Sequence, residues 1–224
     1  MCIRDSSGAN PRRQNEPHAH SINFNGDGSQ AFVADLGKDQ ILVYDVDAKA
    51  GTMEPADPEF LALPAGGGPR HLAFHPRFQH AFSNLEMTSM LAKLSYDAAA
   101  GSLKLDAVLS TIPESARESG NSTAECLVHP SGKFVYVSNR GHNSIATFAF
   151  DAKSGELTPL GNTSTQGEVP RGFGIDPSGK FLIVGNQRSG NVVSFHIDPA
   201  KGTLTPTGTE IDVDAAVNVR FFER

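Results

Sequence analysis

Apolar and polar residues alternate along most of the chain, and the alternation follows one pattern four times over. Each copy has an apolar run, a polar turn, a second apolar run, a polar gap and a third apolar run. The first halves of the copies read SINFNGDGSQAFVAD, HLAFHPRFQHAFSNLE, CLVHPSGKFVYVSNR and FGIDPSGKFLIVGNQ. Alternation of this kind is typical of half-buried β-strands.

The second half of each copy adds a D-x-x-x-G hairpin turn and a short last strand, which makes four strands per copy. The first turns begin at Asn25, His75, His129 and Asp176, so the repeat is about 50 residues long. We expect these four residues to cap their turns. Four-stranded antiparallel sheets repeated at this spacing are typical of propeller blades. The sequence therefore predicts an all-β fold, a β-propeller with about four blades.

The two ends of the repeat array differ from its middle. Residues 218–222, NVRFF, resemble the first strand of a fifth copy, whereas residues 1–16 are polar and supply no matching strand. We therefore expect an N-terminally truncated propeller that forms an open arc, with blade faces exposed and prone to self-association. Residues 1–16, which open with the unrelated MCIRDS, are predicted to be an unstructured leader or artefact, and residues 17–224 a partial propeller domain.

Composition narrows the function classes. The net charge of −6, without a run of Lys or Arg, argues against a nucleic-acid partner. No segment approaches the roughly 20 apolar residues that cross a membrane, and residues 1–17 lack an apolar signal, so a cytoplasmic location is expected. Cys126 lies in an apolar run and is predicted to be a buried thiol. Residues 174–180 imitate a phosphate-binding loop, but Phe181 replaces its Ser or Thr, so this segment is predicted to be a turn.

Charged residues recur where first strands begin and second strands end. Antiparallel pairing brings these two places to the same end of a blade, around the mouth of the channel. Arginine suits carboxylate or phosphate recognition, and histidine or a carboxylate can act as a general base. The candidate residues at these places are His18, His20, Arg70, His71, Glu86, Glu125, Arg140, His142 and Arg171.

Structural roles compete with each of these candidates. His18 and His20 are two residues apart on one strand and could hold a metal, but no third ligand is specified, so no metal or other cofactor is predicted. Arg70 and Arg140 could form ion pairs between blades, and Glu86 could be a solvated loop carboxylate. The site hypothesis requires both guanidinium groups to point into the channel without tight ion pairs.

Five strings carry a resemblance to a known family: PHAHSINFNGDG, GPRHLAFHP, TAECLVHPSGKFVYVSNRGHNSIATFAFD, VPRGFGIDPSGKFLIVGNQ and VVSFHIDPAKGTLTPTG. Together they resemble the bacterial lactonase family of seven-bladed propellers, which includes propeller-type 6-phosphogluconolactonases and is related to carboxymuconate-lactonising enzymes. The resemblance covers about residues 15–224. It implies that about four of seven blades are present.

The resemblance also implies an active-site set of a histidine, two arginines and a glutamate. By motif these fall on His20, with His18 as the competitor, and on Arg70, Glu86 and Arg140. The chain departs from the family at Leu85, where the family commonly has Asn, and at Asn25-Gly26 in the first turn. His18, His71, Glu125, His142 and Arg171 are predicted to contact the substrate.

The implied activity is that of a carboxylic-ester hydrolase acting on 6-phospho-D-glucono-1,5-lactone, an activity that a fragment alone need not display. No G-x-S-x-G nucleophile is present, so direct water attack is favoured. Glu86 or His20 would take the proton, while one arginine holds the oxyanion and another the phosphate. The alternatives are a lactonase or cycloisomerase for a carboxylated compound, and a non-catalytic interaction platform. The predicted partner is a small anionic sugar lactone, with oligomeric state left open.

Overall fold

The computed structural model describes residues 8–222, apart from the side chains of residues 118 and 119. Within that range it contains sixteen β-strands and one short 3-10 helix, Glu114–Ser119, and no α-helix. The strands form four antiparallel sheets of four, each a meander of consecutive strands. This is the blade topology that the repeat predicts. By its internal contacts the chain divides into two compact units, residues 1–109 and 110–224.

The first unit holds the first two sheets. Their strands are β1 (Ala19–Phe24), β2 (Gln30–Asp35), β3 (Gln40–Asp47), β4 (Thr52–Ala62), β5 (Pro69–Phe74), β6 (His80–Leu85), β7 (Met90–Asp97) and β8 (Ser102–Ser110), the last ending at the boundary between the units.

The second unit holds the other two sheets. Their strands are β9 (Ser122–Val128), β10 (Phe134–Arg140), β11 (Ser144–Asp151), β12 (Glu156–Ser164), β13 (Pro170–Ile175), β14 (Phe181–Asn186), β15 (Asn191–Ile197) and β16 (Leu204–Asp212). All sixteen strands therefore lie within residues 17–224, the range predicted to be propeller.

Aromatic rings join the two sheets of the first unit. Phe32 of β2 is fully buried, and its ring centroid lies 5.1 Å from that of Phe74 on β5 and 5.5 Å from that of Tyr96 on β7. Edge-on contacts of this kind stabilise beyond the area that they bury. The Tyr96 hydroxyl also donates to Gln30 Oε1 at 2.9 Å. The alternating residues of the repeat thus become the core between successive sheets.

Buried aromatic rings also join the two sheets of the second unit. Tyr136 and Phe134 of β10 share one buried cluster with Phe173 of β13 and Phe195 of β15. The Tyr136 hydroxyl donates to the carbonyl of Gly202 at 2.8 Å, so the buried polar atom is satisfied.

The residues that begin the first turns do cap them. Asn25 Oδ1 accepts from the amide of Gln30, and Asp176 Oδ1 accepts from the amide of Phe181 at 2.7 Å. His75 Nδ1 accepts from the amide of Arg77, and His129 Nδ1 accepts from the amide of Ser131. The predicted capping role is confirmed in all four blades. None of the helical segments in the described chain has the length and apolarity needed to cross a membrane.

The NVRFF segment differs from the prediction. Residues 218–222 form no strand in the structure. A Cβ added at Gly172 would lie 2.5 Å from the carbonyl oxygen of Val217, and one at Gly174 would lie 3.1 Å from Val219 Cγ1. Because Cβ atoms project from the faces of a sheet, the segment lies over the face of β13 rather than beside an edge strand. Its backbone therefore joins no strand ladder.

Candidate active site

A β-bulge lies near the start of the first strand of every sheet. Ala19 pairs with Asp35 and Ser21 with Ala34, so His20 is an extra residue in the ladder. The same register shift makes Arg70 extra in β5 and Arg171 extra in β13. In β9, Ala124 and Glu125 together face Ser138 alone. A bulge changes the direction of a side chain, and here it acts on four of the nine candidates.

Arg70 and Glu86 form a buried ion pair in the first unit. Arg70 Nε lies 3.0 Å from Glu86 Oε2, and their side chains are 4% and 2% exposed. The amide of Glu86 donates to the carbonyl of Gly68, which fixes the glutamate directly after β6. The expectation that Arg70 would be without a tight ion pair was therefore wrong. Burial explains the difference, because a guanidinium removed from water needs a nearby anion.

The two histidines beside this pair extend the cluster. Arg70 Nη1 lies 2.9 Å from His71 Nε2, and since a guanidinium can only donate, the His71 proton must be on Nδ1. The His20 ring centroid is 5.6 Å from that of His71. Partial desolvation, followed by electrostatic interaction with Arg70 and with His71, lowers the pKa of His20 to about 4. His20 nevertheless keeps a large exposed surface, so this cluster holds a neutral, accessible imidazole at neutral pH.

A second guanidinium reaches Glu86 from the segment before β1. Arg13 Nη1 lies 2.8 Å from Glu86 Oε1, and the Arg13 side chain is 50% exposed. Each carboxylate oxygen of Glu86 thus lies within ion-pair distance of an arginine. The neighbouring Gln14 is fully buried and donates through Nε2 to the carbonyl of Leu36 at 2.8 Å. Residues within the predicted leader therefore contribute to the cluster and its packing.

A glycine-rich turn sets the start of β5. The buried carboxylate of Asp39 accepts from the amides of Gly66 and Gly68, both at 2.8 Å. Gly68 has a φ of 66°, and a Cβ there would lie 2.8 Å from Met87 Cε. Only glycine adopts this left-handed backbone conformation without strain. The turn thus positions the start of β5 so that Arg70 reaches Glu86.

The hydrogen bond that the structure gives for His18 involves its backbone amide, not its ring. It precedes β1, and its amide donates to Asp35 Oδ1 at 2.8 Å. The bulge at His20 interrupts the alternation that would have put both rings on one side. Among residues 8–222, no group of three or more metal-binding side chains comes together.

The candidates of the second unit lie at the corresponding strand ends. Arg140 Nη2 donates to the carbonyl of Thr123 at 2.9 Å, and Thr123 pairs with Asn139 across β9 and β10. Glu125 is buried, and its Oε2 lies 3.8 Å from Nη1 of the half-exposed Arg220. Arginine and glutamate therefore recur at the same end of this blade.

Two further candidates of the second unit are placed near strand ends. His142 lies in the turn between β10 and β11, and its Nδ1 is 2.7 Å from Ser144 Oγ. Arg171 is half-buried in the bulge of β13. Both residues therefore lie near strand ends, as predicted. That they contact a substrate stays a prediction.

Sequence reasoning missed Arg13. The residue sits in a polar segment outside the repeat, where no periodicity identifies it. The one available signal was the adjacent pair Arg12-Arg13 shortly before PHAH, which the interpretation of residues 1–16 as a leader set aside.

Four-stranded antiparallel blades define a protein of the β-propeller class, and the cluster of arginine, glutamate and histidine at the strand ends is its candidate site. Comparison with known proteins agrees: the family described as "Lactonase, 7-bladed beta-propeller" matches residues 2–221. The chain belongs to this lactonase family.

Two kinds of relative illustrate the family. The 6-phosphogluconolactonase of Bacillus subtilis (strain 168) is 36% identical over 164 residues, 73% of this chain and 46% of that protein. The 6-phosphogluconolactonase of Formosa agariphila is 34% identical over 173 residues, 76% of this chain and 48% of that protein. The structure of the periplasmic gluconolactonase PpgL of Pseudomonas aeruginosa superposes with a TM-score of 0.89 at 31% identity, covering 96% of this chain and 59% of that one. The chain spans about half the length of the curated relatives that it matches.

Proposed function

We propose that this chain takes part in the hydrolysis of a sugar lactone, with 6-phospho-D-glucono-1,5-lactone as the leading substrate. The observation that carries the proposal is the cluster in which buried Arg70, held by Glu86, lies beside the accessible His20. The names of the relatives from Bacillus subtilis and Formosa agariphila support the substrate.

In the proposed reaction water attacks the lactone carbonyl carbon, and His20 takes the proton that the water loses. The guanidinium of Arg70 stabilises the oxyanion of the tetrahedral intermediate. That intermediate collapses by breaking the bond from the carbonyl carbon to the ring oxygen, and the histidine returns its proton to this oxygen. The product is the open-chain acid.

Glu86 fits the role of an anchor better than that of a base. Both of its oxygens are ion-paired with arginine, so taking a proton would disrupt an ion pair. His20, by contrast, is neutral and exposed. A low His20 pKa also means that the base remains unprotonated to well below neutral pH. Arg140 is proposed as a second anion-binding residue, a role supported by the resemblance of its NRGH segment to the family's motif.

A second candidate substrate is the unphosphorylated glucono-1,5-lactone. It is favoured by the resemblance to the Pseudomonas gluconolactonase, whose name contains no phosphate. The two substrates share the lactone ring and differ in the phosphate group on C6, which adds charge, size and hydrogen-bond acceptors.

Hydrolysis of both lactones by the chain, measured against the spontaneous rate in a weakly buffered pH assay, tests the proposal. We expect faster hydrolysis of the phosphorylated lactone, and we expect Arg70→Ala and Arg140→Ala to lower kcat by about 10²–10³. His75→Ala, which removes a turn cap and a ring contact with His80 at the opposite end of β5, is the control and should affect stability alone. Rates equal to the spontaneous ones for both lactones would refute the proposal for this chain.

A further inference from the structure

Two guanidinium groups lie at the single carboxylate of Glu86. Arg70 is buried beside its Oε2, and one guanidinium already neutralises one carboxylate. Arg13 adds a second positive charge at Oε1. Both guanidinium groups are cationic, and positive charge beside a candidate site attracts anions to it.

Of the two arginines at Glu86, Arg13 is the accessible one. Arg13 is half exposed, whereas Arg70 is only 4% exposed. Glu86 engages Nη1 of Arg13, and a guanidinium carries five N–H donors in a rigid plane. Donors of this side chain can thus reach a molecule in solvent while it stays bonded to Glu86. A planar donor fork is well suited to a phosphate group.

The backbone around Arg13 is fixed in advance. The amides of Arg13 and Gln14 both donate to the carbonyl of Asn10, at 3.0 and 2.7 Å. Gln14 is fully buried, accepts from the amide of Asn10 and donates to Leu36. The turn therefore holds Arg13 over Glu86 before any ligand arrives, which lowers the entropy cost of binding.

We propose that Arg13 is a specificity-determining residue that binds the phosphate group of the substrate beside the Arg70–Glu86 pair. The proposal rests on the proposed function, which it deepens by assigning phosphate recognition to a residue outside the repeat. It also explains how one lactone-opening cluster could distinguish a phosphorylated from a plain sugar lactone.

Binding of three stable probes to the full chain tests the proposal without requiring turnover. The probes are 6-phosphogluconate, gluconate and inorganic phosphate, titrated at low ionic strength by calorimetry into wild type, Arg13→Gln and Arg13→Lys. The matched control is Arg12→Gln, which removes the same charge from an exposed neighbour that forms no recorded ion pair in the described chain. Far-UV circular dichroism confirms that each variant is folded.

We expect Arg13→Gln to weaken binding of 6-phosphogluconate and phosphate by at least about tenfold, which corresponds to one charge-assisted hydrogen bond or more. Gluconate binding should stay unchanged, Arg13→Lys should retain part of the phosphate affinity, and Arg12→Gln should change it by less than about twofold because exposed charges are screened.

Three results would overturn the proposal: no measurable phosphate binding by wild type, equal phosphate binding by Arg13→Gln, or an equal loss for 6-phosphogluconate and gluconate. The last would show that Arg13 only positions Glu86. The proposed function fails separately. Arg13-dependent phosphate binding without hydrolysis of either lactone would retain the anion site and refute lactone hydrolysis.

Discussion

Replacing Glu86 with Gln provides a direct test of the ion-pair cluster. The substitution keeps the size of the side chain but removes the negative charge between Arg70 and Arg13. For the buried Arg70, loss of the anion from a pair in which both side chains are under 5% exposed costs about 3 kcal/mol of unfolding free energy. For the half-exposed Arg13 the corresponding loss is below about 1 kcal/mol. We therefore expect Glu86→Gln to destabilise the first unit by about 3 kcal/mol or more.

The measurement must report on the first unit alone. Amide hydrogen exchange at rising urea concentration, followed by mass spectrometry on peptides from β5 and β6, gives the unfolding free energy of that unit. Glu168→Gln is the matched control, because its pair with Arg188 is 57% and 72% exposed with the closest atoms 3.9 Å apart. This control should change the stability of its own unit by less than about 0.5 kcal/mol. Equal effects of the two substitutions would refute the view that Glu86 compensates a buried charge.

Three further predictions concern other parts of the chain. In a proton NMR titration the midpoint of His20 should lie at about 4. The unfolded chain takes up this proton between pH 6.5 and 4, whereas the folded chain does not, so protonation of His20 lowers the free energy of unfolding as the pH falls through that window. The free energy of unfolding of His20→Gln should therefore fall by less than that of wild type over the same window. In urea melts, Gly51→Ala should destabilise its unit by roughly 1–2 kcal/mol, the strain of a left-handed backbone. Gly202→Ala should destabilise its own unit by more, because the new Cβ would also lie 2.4 Å from the buried ring of Phe134. Similar losses for the two substitutions would refute the clash. In a Cys2→Ser background Cys126 should react with a thiol reagent only under denaturing conditions, because burial raises the pKa of its thiol, and rapid labelling of the native chain would contradict this.

The blades could be predicted because their signals are local. Alternation along each strand and a capping residue at each first turn are contained in short stretches of sequence, and the sixteen strands follow them. Cys126 was likewise predicted to be buried from the apolar run around it, and it is 1% exposed. These features depend on neighbours in the chain, which a reader of the sequence can see.

The details of the site could not be predicted because they depend on residues far apart in the chain. The pairing of Arg70 with Glu86 requires the register of β5 against β6, which the repeat leaves undetermined. Arg13 reaches Glu86 from a segment that has no apolar pattern, although it belongs to the same unit. For the NVRFF segment the local pattern predicted a strand that does not form. The segment lies over the face of a sheet and not along its edge, so its backbone has no strand to pair with.

The bulge explains how a repeated fold can carry a site that does not repeat. An extra residue in a strand takes no place in the ladder, so its side chain is not required to fit the alternation of the sheet. At this position the first, second and fourth blades hold His20, Arg70 and Arg171, and the third has Glu125 within its bulge. An exposed histidine, a buried arginine, a half-buried arginine and a buried glutamate thus occupy one structural location. Chemistry can differ from blade to blade there because neighbouring core positions, not the bulge, hold the sheets together.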